Sequence, residues 1–164
     1  MIRIAVLNDY QGLALDYADW SKVQAQASVD QFRHHIADPD ELVGALAPYD
    51  VVVAMRERTP LTRATIERLP NLKLVVTTGP FNAAIDAAAL AERGIAYCGT
   101  GGALHNTSEL TWALLLACAK SVVLLNERMH TGHWDKATHK SIELEGRTVG
   151  VIGLLWLTTV ANFG

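Results

Sequence analysis

Apolar and β-branched residues gather into five short runs, Ile2–Leu7, Val29–Arg33, Val51–Met55, Leu72–Thr77 and Ile95–Cys98. Runs of this length without strict polar alternation predict parallel strands covered on both faces. Helix signals fill the gaps. Asp38-Pro39-Asp40-Glu41 supplies a cap, a first-turn proline and first-turn acids, and Thr59-Pro60 precedes a helix over Leu61–Leu69 that Pro70 and Asn71 close. Asp86-Ala87-Ala88-Ala89-Leu90-Ala91-Glu92-Arg93 ends at Gly94, a residue suited to the left-handed position after a helix. Strand and helix alternating in this way predict right-handed crossovers and an open parallel α/β sheet, with a flavodoxin-like strand order.

The rhythm changes after Gly99-Thr100-Gly101-Gly102, which sets a boundary between a first domain, 1–100, and a second region, 101–164. Asn106-Thr107-Ser108-Glu109 reads as a capping sequence opening a long helix, Thr107 to about Met129. Its stripe of Leu110, Ala113, Leu114, Ala117, Cys118, Val122 and Leu125 is widened by Trp112, Leu115, Leu116 and Val123, so the helix is expected to be buried. A polar loop over Asp135–Glu145 leads to a final strand, Arg147-Thr148-Val149-Gly150-Val151-Ile152-Gly153. That strand resembles the opening of a dinucleotide-binding unit. Such a unit continues into a glycine turn where bare backbone and a helix N-terminus meet a pyrophosphate. Here the turn reads Leu154-Leu155-Trp156-Leu157-Thr158, with bulky side chains where a diphosphate needs space.

Composition narrows the possibilities. Half the 164 residues are hydrophobic, 19% are charged and the net charge is −3, which argues against disorder and against a nucleic-acid partner. Cys98 and Cys118 lie in apolar runs without CxxC or histidine-rich spacing, so they are expected to be reduced core thiols, with no metal. No signal-peptide pattern opens the chain, and Leu110–Leu125, broken by Lys120 and Ser121, is too short to span a bilayer. A soluble cytoplasmic protein without a membrane partner is expected.

Several segments together resemble a family, the D-isomer-specific 2-hydroxyacid dehydrogenases. They are Ile4-Ala5-Val6-Leu7-Asn8-Asp9-Tyr10-Gln11, Val53-Ala54-Met55-Arg56-Glu57-Arg58-Thr59-Pro60, Leu72–Gly79 with Asn82-Ala83-Ala84-Ile85-Asp86, Gly94-Ile95, and Thr107-Ser108-Glu109-Leu110-Thr111-Trp112-Ala113. The resemblance implies that residues 1–100 are a substrate-binding domain and 101–164 the truncated start of a Rossmann NAD-binding domain. It implies NAD as cofactor and a small 2-hydroxy or 2-oxo acid as substrate. Arg56, Gly79, Phe81 and Asn82 are the implied substrate-binding residues, and Pro80, Gly153, Leu155 and Trp156 the implied cofactor-binding ones. In the family the loop equivalent to Gly79–Asn82 offers backbone N–H groups to the substrate carboxylate, and Pro80 has none to offer. The family's catalytic Arg, Glu and His map onto no residue here, so the chain is expected not to turn over as it stands. The alternative is a non-catalytic carboxylate-binding or dimerisation module that pairs with a full-length relative. The family's counterpart of helix Thr107–Met129 packs against a second subunit, which implies a homodimer or mixed dimer.

Other candidates carry bland readings. Arg56 follows a strand at the edge where open sheets bind ligands, and its alternative role is an ion pair with Glu57. His34, His35, His105, His130, His133 and His139 lack an evident partner and read as exposed side chains. Gly99–Gly102 lacks the Lys and Ser/Thr of a phosphate loop and reads as a hinge. Asp9 suggests a phospho-acceptor domain, but Met55-Arg56 stands where such a domain has its aspartate after the third strand.

Overall fold

The computed structural model describes residues 1–102, 106–133 and 141–151. They fall into two compact units, Met1–Gly102 and Ala103–Gly164. In the first, β1 (Ile2–Val6), β2 (Ala27–Gln31), β3 (Val51–Ala54), β4 (Leu74–Thr77) and β5 (Ala96–Gly99) form one parallel sheet in the order β2-β1-β3-β4-β5. This is the flavodoxin-like order. The central strands β3 and β4 alternate fully buried with half-buried residues, and Val52 and Val75 have no exposed surface. Leu46, Leu61, Ile66, Leu69 and Leu90 close the core from the helices and their flanks.

The four helices of this unit are short: α1 (Ser21–Gln24), α2 (Pro39–Leu46), α3 (Arg63–Glu67) and α4 (Ala87–Glu92). Asp38 caps α2, its carboxylate accepting from the N–H groups of Asp40 and Glu41, and Asp86 caps α4 through Ala89 N–H. Gly94 follows α4 with φ of +66°. The third helix departs from expectation. It starts at Arg63 under a Thr62 cap, while Leu61 forms a bridge to Ile85 and the Thr59 hydroxyl donates to Asn8 Oδ1. β2 also begins two residues early, because pairing of Ile2 with Ala27 sets its register.

Both cysteines are exposed, contrary to the expected core thiols. Cys98 sits on β5, an edge strand left largely uncovered, and Cys118 on a helix that is apolar on every side.

In the second unit the expected single helix is two, α5 (Asn106–Ala119) and α6 (Val122–His130), bent by 60°. The break has a physical cause. Ser121 adopts φ of +53°, and the Ala119 carbonyl accepts from Ile142 N–H at 2.7 Å while Lys120 Nζ donates to Ile142 O at 2.9 Å. The expected burial of this segment is not seen either: Leu110, Leu114 and Val123 are 59, 57 and 74% exposed. No single helix among the described residues is long and apolar enough to cross a membrane. Arg147–Val151 pair with no strand among the described residues, and the rest of the expected final strand and its turn lie outside them.

Candidate functional site

β3 and β4 run parallel in register, Ala54 beside Thr77, so the segments leaving them emerge side by side at the C-terminal edge of the sheet. Three sequence-predicted residues meet there. Asn82, 5% exposed, donates through Nδ2 to Arg56 O at 2.6 Å and Thr77 Oγ1 at 3.1 Å, and its Oδ1 accepts from Ala84 N–H at 2.9 Å. Arg56 N–H donates to Thr78 Oγ1, and Arg56 itself holds a left-handed φ of +51°. Its guanidinium passes over Gly79, whose φ of +124° and missing side chain admit it. A buried, fully bonded amide therefore fixes both turns at once.

Gly79 N–H donates to Thr100 Oγ1 at 3.0 Å, so this donor is already engaged. The next residue, Pro80, has no N–H. Those of Phe81 and Asn82 meet no acceptor among the described residues. The Phe81 side chain is 70% exposed on the same loop. Arg56 Nε stands 3.7 Å from Glu57 Oε2, both side chains being about half exposed, which is a weak tether for the guanidinium. Two unbonded backbone N–H groups, on a loop that the Arg56 guanidinium crosses at Gly79, suit a carboxylate, a flat anion with two acceptor oxygens.

A second polar cluster lies at the same edge, between β1 and β3, and sequence reasoning did not find it. Asn8, 2% exposed with φ of +56°, accepts from Thr59 Oγ1 at 2.7 Å and contacts Tyr10 OH and His35 Nδ1. His35 thus has a partner that its exposed position did not suggest. Arg58 donates to Asn8 O at 3.0 Å and lies 4.9 Å from the Tyr10 ring centre. Asp9, 5% exposed, accepts from Leu13 N–H, Ala14 N–H and Gln31 Nε2. The cluster borders a cavity of about 300 Å³. The available signal was polar residues directly after β1, at the point where strand order reverses.

Of the expected cofactor residues only Pro80 is among the described ones. Pro80 is exposed on the loop after β4, and Gly153, Leu155 and Trp156 lie outside the described residues. Among the described residues Arg147–Val151 form no strand, and the turn that would meet a pyrophosphate lies outside them.

Residues 11–159 match the family model of the D-isomer specific 2-hydroxyacid dehydrogenase catalytic domain. The chain belongs to that family. Its relatives include a D-3-phosphoglycerate dehydrogenase of Methanocaldococcus jannaschii, 36% identical over 70% of this chain and 22% of the relative. A hydroxypyruvate reductase of Thermotoga maritima is 35% identical over 71% of this chain and 38% of the relative. Among solved structures, a phosphoglycerate oxidoreductase from Vibrio cholerae superposes with a TM-score of 0.84 at 31% identity, covering 99% of this chain and 52% of the other. The chain thus spans between about a fifth and a half of the length of these relatives.

Proposed function

We propose that these residues form the acid-binding part of a D-2-hydroxyacid dehydrogenase, acting in the cytoplasm on a small 2-hydroxy or 2-oxo acid. The observation that carries the reading is the pair of unbonded N–H groups at Phe81 and Asn82, on a loop that the Arg56 guanidinium crosses at Gly79 and that the buried Asn82 amide fixes. The carboxylate is received by those two donors, and Arg56 swings from its loose contact with Glu57 to complete the charge pairing. NAD, when bound to such an enzyme, supplies the hydride. A solved D-lactate dehydrogenase from Aquifex aeolicus, described as complexed with NAD and lactic acid, shares the fold at 18% identity and a TM-score of 0.64. The sequence Leu154-Leu155-Trp156-Leu157 carries bulky residues where a diphosphate-binding turn carries glycines, and on this reading the chain binds the acid without reducing it.

Pyruvate titration followed by amide NMR tests the reading. Shifts are expected at Gly79–Asn82 and Arg56, and Arg56→Ala is expected to weaken binding roughly tenfold, the loss of one charge-assisted contact. Shifts confined to other parts of the chain, or absent at millimolar pyruvate, overturn it. NADH oxidation by the isolated chain overturns the second half of the reading.

A separate observation favours association through α5 and α6. Leu110, Leu114, Leu116 and Val123 are between 46 and 74% exposed, and a helix apolar on every side is stable in water only when covered. The occupant is a second copy or a full-length relative carrying the same face. Light scattering is expected to give at least a dimer mass, reduced by Leu114→Glu. A monomer mass at micromolar concentration refutes the association.

A further inference from the structure

We infer that the cavity between β1 and β3 receives the substituent that the acid carries on C3, and that it accepts an uncharged aromatic or bulky apolar group. The inference rests on the carboxylate reading of the Gly79–Asn82 loop. Its first support is position. In the order β2-β1-β3-β4-β5 the chain reverses direction of growth between β1 and β3, and the crevice beyond the carboxyl ends of those strands is where open α/β sheets bind ligands. The cavity opens there, and a chain of hydrogen bonds links its wall to the turn at Arg56. Met55, which lines it, accepts from Thr78 Oγ1 at 3.5 Å, and the same Thr78 hydroxyl accepts from Arg56 N–H.

Size and preorganisation follow. An apolar cavity of about 150 Å³ already admits benzene, and this one is about 300 Å³, at the lower end of ordinary ligand sites. Its floor is fixed before any ligand arrives. The Asp9 carboxylate ties down Leu13 and Ala14 and is tied to Gln31, while Trp20 Nε1 donates to Ala14 O. In this chain the β1–β2 connection carries only the four-residue α1, and the irregular stretch before it supplies the cavity wall.

The chemistry of that wall decides the class of ligand. Tyr10, Tyr17, Ala14 and Met55 present rings and apolar surface, and both tyrosines are exposed, 49 and 79%. The two charged residues of the lining are Asp9 and Arg58, which cancel. Arg58 is also occupied, capping Asn8 O and covering the Tyr10 ring. A second anionic group on the acid would have to share Arg58 with those contacts while facing Asp9. A phenyl ring instead gains the tyrosine and methionine surfaces without displacing any bond.

Three probes separate the possibilities on the 164-residue chain: pyruvate, phenylpyruvate and oxaloacetate, each titrated by amide and tyrosine-ring NMR. All three carry the carboxylate that the loop reads. Phenylpyruvate is expected to bind about tenfold or more tightly than pyruvate, and to shift Tyr10, Tyr17 and Met55 as well as Gly79–Asn82. Tyr17→Ala is expected to return phenylpyruvate to the affinity of pyruvate, and Tyr17→Phe to keep the advantage; Tyr17 is largely exposed, so the fold does not depend on it. Equal affinity for pyruvate and phenylpyruvate, or tightest binding of oxaloacetate, overturns the pocket assignment and leaves the carboxylate loop standing. Failure of pyruvate to shift the loop overturns the carboxylate reading and this inference together.

Discussion

Gly99 shows how little room separates the Gly79–Phe81 loop from the sheet. A Cβ at this position would collide with Gly79 O and with Pro80 O and C, all of them backbone atoms that cannot rotate away. Gly99→Ala is therefore expected to push the Gly79–Phe81 loop outward. Overpacking of this kind costs about 1–3 kcal/mol. Thermal melting reads that cost, and amide shifts confined to residues 78–82 locate it. Gly79 differs, since the atom in its way is the end of the flexible Arg56 side chain, and what excludes other residues there is φ of +124°. Asn82 works in the opposite sense, by adding bonds. Asn82→Ala leaves Thr77 Oγ1 and Arg56 O without their donor in a buried setting, for a loss of about 2 kcal/mol. The same variant is expected to broaden the Phe81 and Asn82 amides and abolish pyruvate binding. Unchanged pyruvate affinity with lowered stability would make Asn82 a structural residue alone.

At the scale of elements, the sequence was legible where the signal is local and misleading where a distant partner decides. Asp38-Pro39 marks the start of α2 because the cap bonds, Asp38 to Asp40 and Glu41, lie within three residues. Thr59-Pro60 carries a similar message, yet α3 starts later: Thr59 spends its hydroxyl on Asn8, which is 51 residues away. The long apolar helix breaks for a comparable reason, Ile142 having claimed the Ala119 carbonyl. Of the candidate site, Arg56, Gly79 and Asn82 were visible as residues following strands, whereas the Asn8–Arg58 cavity depends on two strands becoming neighbours. The break makes its own prediction. Ser121 holds φ of +53°, which glycine adopts without strain, so Ser121→Gly is expected to raise stability by about 0.5–1 kcal/mol. If instead the segment is one continuous helix in solution, the same substitution lowers helicity in circular dichroism and destabilises by about as much.

Across the first unit the two edges of the sheet do different work. The C-terminal edge carries the unbonded Phe81 and Asn82 N–H groups, while the opposite edge is closed by Asp50. There Asp50 Oδ2 accepts from Arg3 N–H at 3.0 Å and Oδ1 from Lys73 Nζ at 2.7 Å, joining the starts of β1, β3 and β4. The Lys73 ammonium, followed by the Arg3 N–H, holds the Asp50 carboxyl below its ordinary value. The sign follows from linkage. A carboxyl with a lowered folded value binds fewer protons folded than unfolded near pH 4, so its contribution is complete above about pH 4 and is lost as pH falls through the folded value. Asp19, lowered by Ser21, and Glu92, lowered by Arg63, act in the same direction on exposed surfaces. Asp50→Asn removes the member of this set that links strands. Urea midpoints of the variant are expected to lie below those of the parent at pH 7, with the gap narrowing steadily between pH 4 and pH 2. A gap that stays constant over that range would mean that Asp50 stabilises the sheet through hydrogen bonds that asparagine also fails to make, and not through its charge.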